Sequence, residues 1–348
     1  MEFRSFLNPQ SAASTFWNPL LETMPRAQLE ALHLRRLRAL LRHAYEHSPL
    51  YRKRYAAAGI RPEDVHSLED FASLVPTIRK ADLAAAQPTK PPYGDALALR
   101  EDDLLFRFQE RGNGNAPVEI PLSYAGATLH GEPWAYLFWA AGLRADTLCY
   151  LPFNWDLRLG LWSAYFGVRR LGAMMLSGGG LDHQARLRQI EQRRPQAMLA
   201  TLEEVQALSE AARQEGFDLA GTSLRHLFIA GADTTGSATL RDDLAATWGA
   251  QVHRVLLHDE TGVVAVGFHS GEGLHAVEDC GHCLVLDAAG KPVGDGEVGE
   301  LVYTSYMQLA QPIIKYHTGD LVRLNRRPSA DGRTWLFFEG GVLGRTVA

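Results

Sequence analysis

Residue types that could do chemistry are densest in two short stretches. "QERGNGNAP", residues 109–117, sets Gly112, Asn113, Gly114 and Asn115 in four consecutive positions between two apolar runs. Glycine and asparagine tolerate positive φ, so such a run suits any tight turn. Its successive backbone N–H groups can also form a concave nest for an anion such as a polyphosphate. Local composition leaves both readings open. The second stretch gathers His269, His275, Cys280, His282 and Cys283 within fifteen residues. Imidazole and thiolate at such spacings can bind zinc. Buried cysteines packed as small hydrophobes give the same pattern. No resident metal is therefore expected, with His269, His275, Cys280 and Cys283 kept as zinc candidates.

Those stretches need elements to hold them. Residues 26–47 read as a helix, with Leu34, Leu37, Leu41 and Ala44 at helical spacing. Short helices broken at Pro49, Pro62 and Pro76 follow. From about Thr147 the pattern alternates: "TLCYLP", "AMMLS", "AMLAT", "RHLFIAG" and "QVHRVLL" read as buried strands, each separated from the next by a helical segment. That alternation predicts a parallel, helix-covered sheet. Ligands of such sheets sit beyond the carboxyl ends of the strands, which directs attention to Ser177–Gly180, Gly231–Thr235 and His258–Gly262. After Gly262 the helices stop, and "GVVAVGF", "GLHAVED", "CLVLD", "GELVYTS", "PIIKY", "DLVRL" and "TWLFFEG" read as short antiparallel strands. The expected fold is α/β: helix-covered, mostly parallel sheets followed by a C-terminal antiparallel distorted β-barrel. The expected units are 1–145, helical and α/β with the Gly/Asn loop; 146–261, doubly wound α/β; and 262–348, barrel-like.

Composition narrows the function classes. The 348 residues are 46% hydrophobic and 22% charged, as in ordinary globular proteins. A net charge of -5 speaks against a general nucleic-acid binder. No apolar run is long enough to span a bilayer, so no membrane partner is expected. "MEFRSFLNPQ" has no basic segment followed by an apolar one, and there are only three cysteines. A cytoplasmic setting is the expectation.

The stretch "GEVGELVYTSYMQLAQPIIKYHTGDLVRL" resembles the adenylate-forming superfamily of acyl-CoA synthetases, adenylation domains and luciferases, in its phenylacetate–CoA ligase-like branch. Three further segments resemble the same branch in the same order: "LRHAYEHSPLYRKRYAAAGIRPEDVHSLEDFASLVPTIRKADL", "YFGVRRLGAMMLSGGGLDHQARLRQI" and "LFIAGADTTGSATLRDDLAATWG". The resemblance covers nearly all of the chain from residue 26. It implies attack of a carboxylate on ATP, with magnesium, giving an acyl-adenylate and pyrophosphate.

The same resemblance implies site residues. "QERGNGNAPVEIPLS" lies where the family keeps its phosphate loop, but the family's hydroxyls and lysine are replaced by Gly112, Asn113, Gly114 and Asn115, then Ala116-Pro117. Asp320 in "YHTGDL" matches the aspartate that accepts hydrogen bonds from the ribose hydroxyls, which suits a carboxylate's two acceptor oxygens. Arg345 in "LGRTVA" matches the arginine that meets the ribose or phosphate. Gly231, Ala232 and Asp233 match the loop lining the adenine. "LLHDETG" lies where the family has Tyr-Gly-x-(Ser/Thr)-Glu, with His258 at the Tyr position and Thr261 at the Ser/Thr position. There His258, Asp259 and Thr261 are expected nucleotide contacts, and Gly262 stands at the magnesium-holding glutamate; a shifted alignment lets Glu260 supply that carboxylate. Thr261 and Glu260 are the expected catalytic pair. Phe153, Trp155, Trp162 and Tyr165 are the expected walls of the acyl pocket.

The chain stops three residues past the Gly344-Arg345 pair. Relatives continue there into a small domain of about a hundred residues, which carries a lysine that assists adenylation. The resemblance implies that this domain is absent and that Val347 replaces an acidic hinge residue. The expected activity is ATP-dependent activation of an aromatic carboxylic acid, weak or partner-dependent. Candidate acyl acceptors are CoA, a carrier protein or a reductase, with a homodimer as the candidate assembly. The alternative is a degenerate relative that binds an aryl acid or nucleotide, without turnover, beside a partner protein.

Overall fold

The computed structural model describes residues 14–110, 117–231, 238–268 and 273–346. The chain opens with α1 (Pro19–Glu22), α2 (Arg26–His47), α3 (Pro49–Ala58), α4 (Leu68–Leu74) and α5 (Lys80–Ala86). α2 buries Leu29, His33, Leu37, Leu40, Leu41 and Ala44 along one stripe. Pro49 starts α3, where its missing N–H is harmless, and Gly59 ends it in the left-handed region. Ser67 and Asp70 close a reciprocal capping box on α4.

An antiparallel pair, β1 (Leu104–Glu110) and β2 (Val118–Ser123), brackets the Gly/Asn loop. Next come α6 (Tyr124–Leu129) and α7 (Glu132–Ala140), the latter buried on every face from Pro133 to Trp139. The alternating region follows: β3 (Leu148–Leu151), α8 (Leu159–Leu171), β4 (Met174–Ser177), α9 (His183–Arg193), β5 (Ala197–Ala200), α10 (Leu202–Glu215), β6 (His226–Gly231), α11 (Ala238–Trp248) and β7 (Gln251–His258). Strands β8 (Gly262–Val266), β9 (Gly273–Ala276), β10 (Gly281–Leu286), β11 (Val298–Ser305), β12 (Tyr316–Asn325) and β13 (Phe337–Arg345) complete the chain.

Strands β7, β6, β5, β3 and β4 pair in parallel in that order, as the alternation predicts. Strands β8 to β13 are antiparallel, as expected after Gly262. The β7–β8 hairpin joins the two halves into one eleven-stranded ladder. "PIIKY" is not a strand of its own. Lys315 turns the chain at φ 50, and Ile313 and Ile314 leave the ladder for the core of the N-terminal helices. The Lys315 ammonium donates to the carbonyls of Ala72 and Val75, both at 2.6 Å. Ile78 and Lys315 backbones also bond at 3.0 Å. These contacts hold the end of α4 and the α4–α5 connection against the start of β12. No described helix is long and apolar enough to cross a membrane.

Candidate active site

The sharp turn between β7 and β8 carries His258, Asp259, Glu260 and Thr261 at the carboxyl end of the parallel sheet. Gly262 closes it at φ 75, a conformation that penalises any side chain. Space excludes one too: a Cβ there would lie 2.4 Å from Nδ1 of His130. His130, from the α6–α7 junction, thus fills the volume that a residue-262 side chain would need.

Asp320 on β12 is fully buried. Its Oδ2 accepts from His258 Nε2 at 2.8 Å. Its Oδ1 lies 3.2 Å from Arg345 Nε yet takes part in no hydrogen bond among the described residues. Register places Asp320 opposite Arg345 on β13, which is why the two meet. Burial alone would lower the His258 pKa, but the bond to Asp320 and the charges of Asp320 and Glu260 outweigh it and raise it. Three of the expected residues therefore form one cluster.

A second charged group lies beside it. Lys80 at the start of α5 pairs with Glu110, the last described residue before the Gly/Asn loop, and lies 3.9 Å from Glu260. Burial raises the Glu110 pKa, Lys80 opposes that, and Glu260 adds to it. Tyr316 hydrogen-bonds Glu260, and its hydroxyl is pushed up chiefly by burial. Two carboxylates thus share one ammonium, leaving excess negative charge. Motif reading missed Lys80, Glu110, His130 and Tyr316. Lys80 and Glu110 sit in unremarkable helix-start and strand-end contexts, and only the fold converges them.

The structure gives Asp259 and Thr261 inward partners. Asp259 Oδ1 accepts from Gly160 N, at the start of α8, at 2.9 Å. Burial lifts its carboxyl to about 6; the Gly160 N–H and Arg158 oppose this, and Glu260 and Glu110 reinforce it. Thr261 is fully buried, and its hydroxyl donates to Gly262 O at 3.1 Å. Gly231 ends β6 at φ 145, open to glycine alone. Ala232, Asp233, His269 and Gly112, Asn113, Gly114 and Asn115 lie outside the described residues.

Phe153, Trp155, Trp162 and Tyr165 converge. Trp155 packs edge-on against Phe153 at 5.1 Å, Trp162 at 4.9 Å and Tyr165 at 5.8 Å between ring centroids. Trp155 also donates to Ser177 Oγ at 2.9 Å, and a Cβ at Gly179 would crowd its ring at 3.0 Å. The aromatic patch therefore lies against the loop after β4.

The described zinc candidates do not converge. Cys280 and Cys283 enter different core clusters, and His275 packs between Phe268 and Phe337. Burial holds both thiols well above their ordinary pKa, as inert hydrophobes. Among the described residues no group of three His, Cys, Asp or Glu side chains could hold a metal ion.

No family model matches the chain. Curated relatives do. Phenylacetate-coenzyme A ligase of Thermus thermophilus is 28% identical over 340 residues, 95% of this chain and 73% of that protein. The Pseudomonas putida phenylacetate-coenzyme A ligase is 30% identical over 314 residues, 88% of this chain and 69% of that protein. Among solved structures, an open conformation of 2-hydroxyisobutyryl-CoA ligase in complex with 2-HIB-AMP and CoA superposes with a TM-score of 0.92 at 28% identity, covering 97% of this chain and 80% of that one. The same ligase in its thioesterification state gives 0.93. With the Asp320 cluster at the sheet's carboxyl end and relatives that cover most of both lengths, the chain belongs to the phenylacetate–CoA ligase-like branch of the adenylate-forming enzymes.

Proposed function

We propose that the protein activates an aromatic carboxylic acid with ATP and passes the acyl group to CoA. A carboxylate oxygen attacks the α-phosphorus of ATP, the bond to the β-phosphate oxygen breaks, and pyrophosphate leaves. The CoA sulfur then attacks the acyl carbon, AMP departs with the electrons of the broken C–O bond, and the thiol proton goes to solvent. The observation that carries this reading is a buried aspartate with one unbonded oxygen, beside a lysine and two carboxylates, in a member of this branch.

Asp320 is the acceptor for the ribose, with His258 bracing it and Arg345 closing over it. Gly231, with Ala232 and Asp233, forms the adenine side. Lys80 supplies the positive charge that the Gly112–Asn115 loop lacks, close to where the outer phosphates would lie. Thr261 reaches a phosphate only by leaving its bond to Gly262 O. The excess charge of Glu260 and Glu110 fits magnesium arriving with ATP, since this ion is commonly bound by one or two carboxylates plus phosphates. When bound, magnesium would neutralise charge on the phosphate oxygens. Trp155, Trp162, Tyr165 and Phe153 provide flat apolar walls for the acid's ring. Names of the sequence relatives support an aryl acid and CoA; the structural relatives act on a small branched acid.

The test is pyrophosphate release with arylacetic, benzoic and short branched hydroxy acids, followed by mass spectrometry of products with CoA. Aromatic acids should turn over fastest. Faster turnover of the short acids would overturn the substrate class. No pyrophosphate from any acid, with AMP still bound, would overturn activation itself.

A further inference from the structure

A carboxylate that recognises a vicinal diol ordinarily offers one oxygen to each hydroxyl. Asp320 is not arranged that way. Its Oδ2 is engaged by His258 Nε2 at 2.8 Å, while Oδ1 has no hydrogen bond among the described residues and lies 3.2 Å from Arg345 Nε. The two flanking groups differ in freedom. The His258 side chain is 11% exposed, and its backbone is pinned in the β7–β8 ladder opposite Gly262. The Arg345 side chain is 53% exposed and ends the last strand. Asp320 itself is fully buried, its N–H donating to Thr318 Oγ1 at 3.1 Å. With the side chain 0% exposed, each oxygen is covered by one neighbour, Oδ2 by the His258 imidazole and Oδ1 by the Arg345 guanidinium. A ligand entering here displaces the exposed arginine more readily than the enclosed imidazole. Breaking the His258 bond would strand a buried polar nitrogen, an outcome folded proteins avoid.

Resting on the nucleotide reading above, we infer that His258 keeps Oδ2 throughout and that the ribose is read through Oδ1 alone, so the site tests one of the two ribose hydroxyls. His258 is then a specificity-determining residue, and its presence makes the enzyme tolerant of one deoxynucleotide.

Calorimetric titration with AMP, 2′-deoxy-AMP and 3′-deoxy-AMP decides this. One deoxy analogue should bind within about twofold of AMP and the other about tenfold or more weaker, the scale of one hydrogen bond to a charged group. In His258→Phe, Oδ2 is released, and the previously tolerated analogue should fall about tenfold behind AMP. His258→Gln, which retains an N–H donor, should keep the wild-type pattern and guards against misreading a folding defect. Comparable losses for both analogues in the wild type, or none for either, would overturn the inference while leaving nucleotide binding intact. Absence of AMP binding would remove the nucleotide reading, and this inference with it.

Discussion

Replacing Asp259 with Asn should stabilise the protein at neutral pH, and the gain should disappear in acid. The carboxyl lies at the β7–β8 turn, raised from 3.8 to about 6 mainly by burial. About two units at 1.36 kcal/mol each put the charged form roughly 3 kcal/mol above its unfolded reference. Its face is partly open, and water screening reduces this to about 1–2 kcal/mol. The sign follows from proton affinity. The folded chain holds this proton more tightly than the unfolded one, so the group's contribution is complete below about pH 4 and is lost as pH rises through about 6. Asn keeps an Oδ1 acceptor for the Gly160 N–H and removes the charge near Glu260 and Glu110. Urea unfolding at about pH 7.5 should therefore show the variant about 1–2 kcal/mol more stable than wild type. Near pH 4 the difference should approach zero. A gain of equal size at every pH, or one that grows in acid, would refute the burial argument.

Lys80→Met should weaken ATP binding by about 1.5–3 kcal/mol, the scale of a charged hydrogen bond. AMP binding should barely change; a parallel loss of both in titrations would remove Lys80 from the phosphate side. Asp320→Ala should weaken AMP by a similar roughly 1.5–3 kcal/mol, and unchanged AMP affinity would rule out its ribose role. Glu22→Ala removes one of the two carboxylates that pair with buried Arg333, leaving Asp331, so chemical denaturation should show a loss of about 1.5–3 kcal/mol. Gly262→Ala forces a methyl against His130 in a left-handed turn. It should lose about 1–3 kcal/mol of stability, and His130→Ala in the same chain should recover part of that in thermal melts.

Much of the fold was legible because periodicity is local. Helix α2 occupies the residues its apolar stripe marks, and the five parallel strands are short apolar runs between amphipathic helices. Two features escaped for physical reasons. Helix α7 is apolar on every face, so it carries no amphipathic period to read. "PIIKY" is a short apolar run like its neighbouring strands, yet it leaves the ladder because the α3–α4 core claims Ile313 and Ile314 and the Lys315 ammonium satisfies carbonyls around the end of α4. That is a tertiary demand, set by residues some 240 positions away, and no window of sequence contains it.

The site divides along the same line. Asp320, Arg345 and His258 were readable because each stands in a motif whose resemblance names it. Their mutual geometry was not, since β12–β13 register and the β7 end bring them together only in the folded sheet. The Gly112–Asn115 loop lost a lysine and position 262 lost a carboxylate relative to the family pattern, and read along the chain these are two deletions of function. In space, Lys80 from α5 brings an ammonium to the foot of that loop, and Glu110 and Glu260 bring two carboxylates to the same place. The His130 ring fills the volume beside Gly262. Electrostatic recognition depends on where charge sits relative to the ligand, and the covalent address of the group that carries it is immaterial. A motif records the address. That is why the sequence suggested a damaged loop where the fold gathers charge from three separate stretches, Lys80, Glu110 and Glu260.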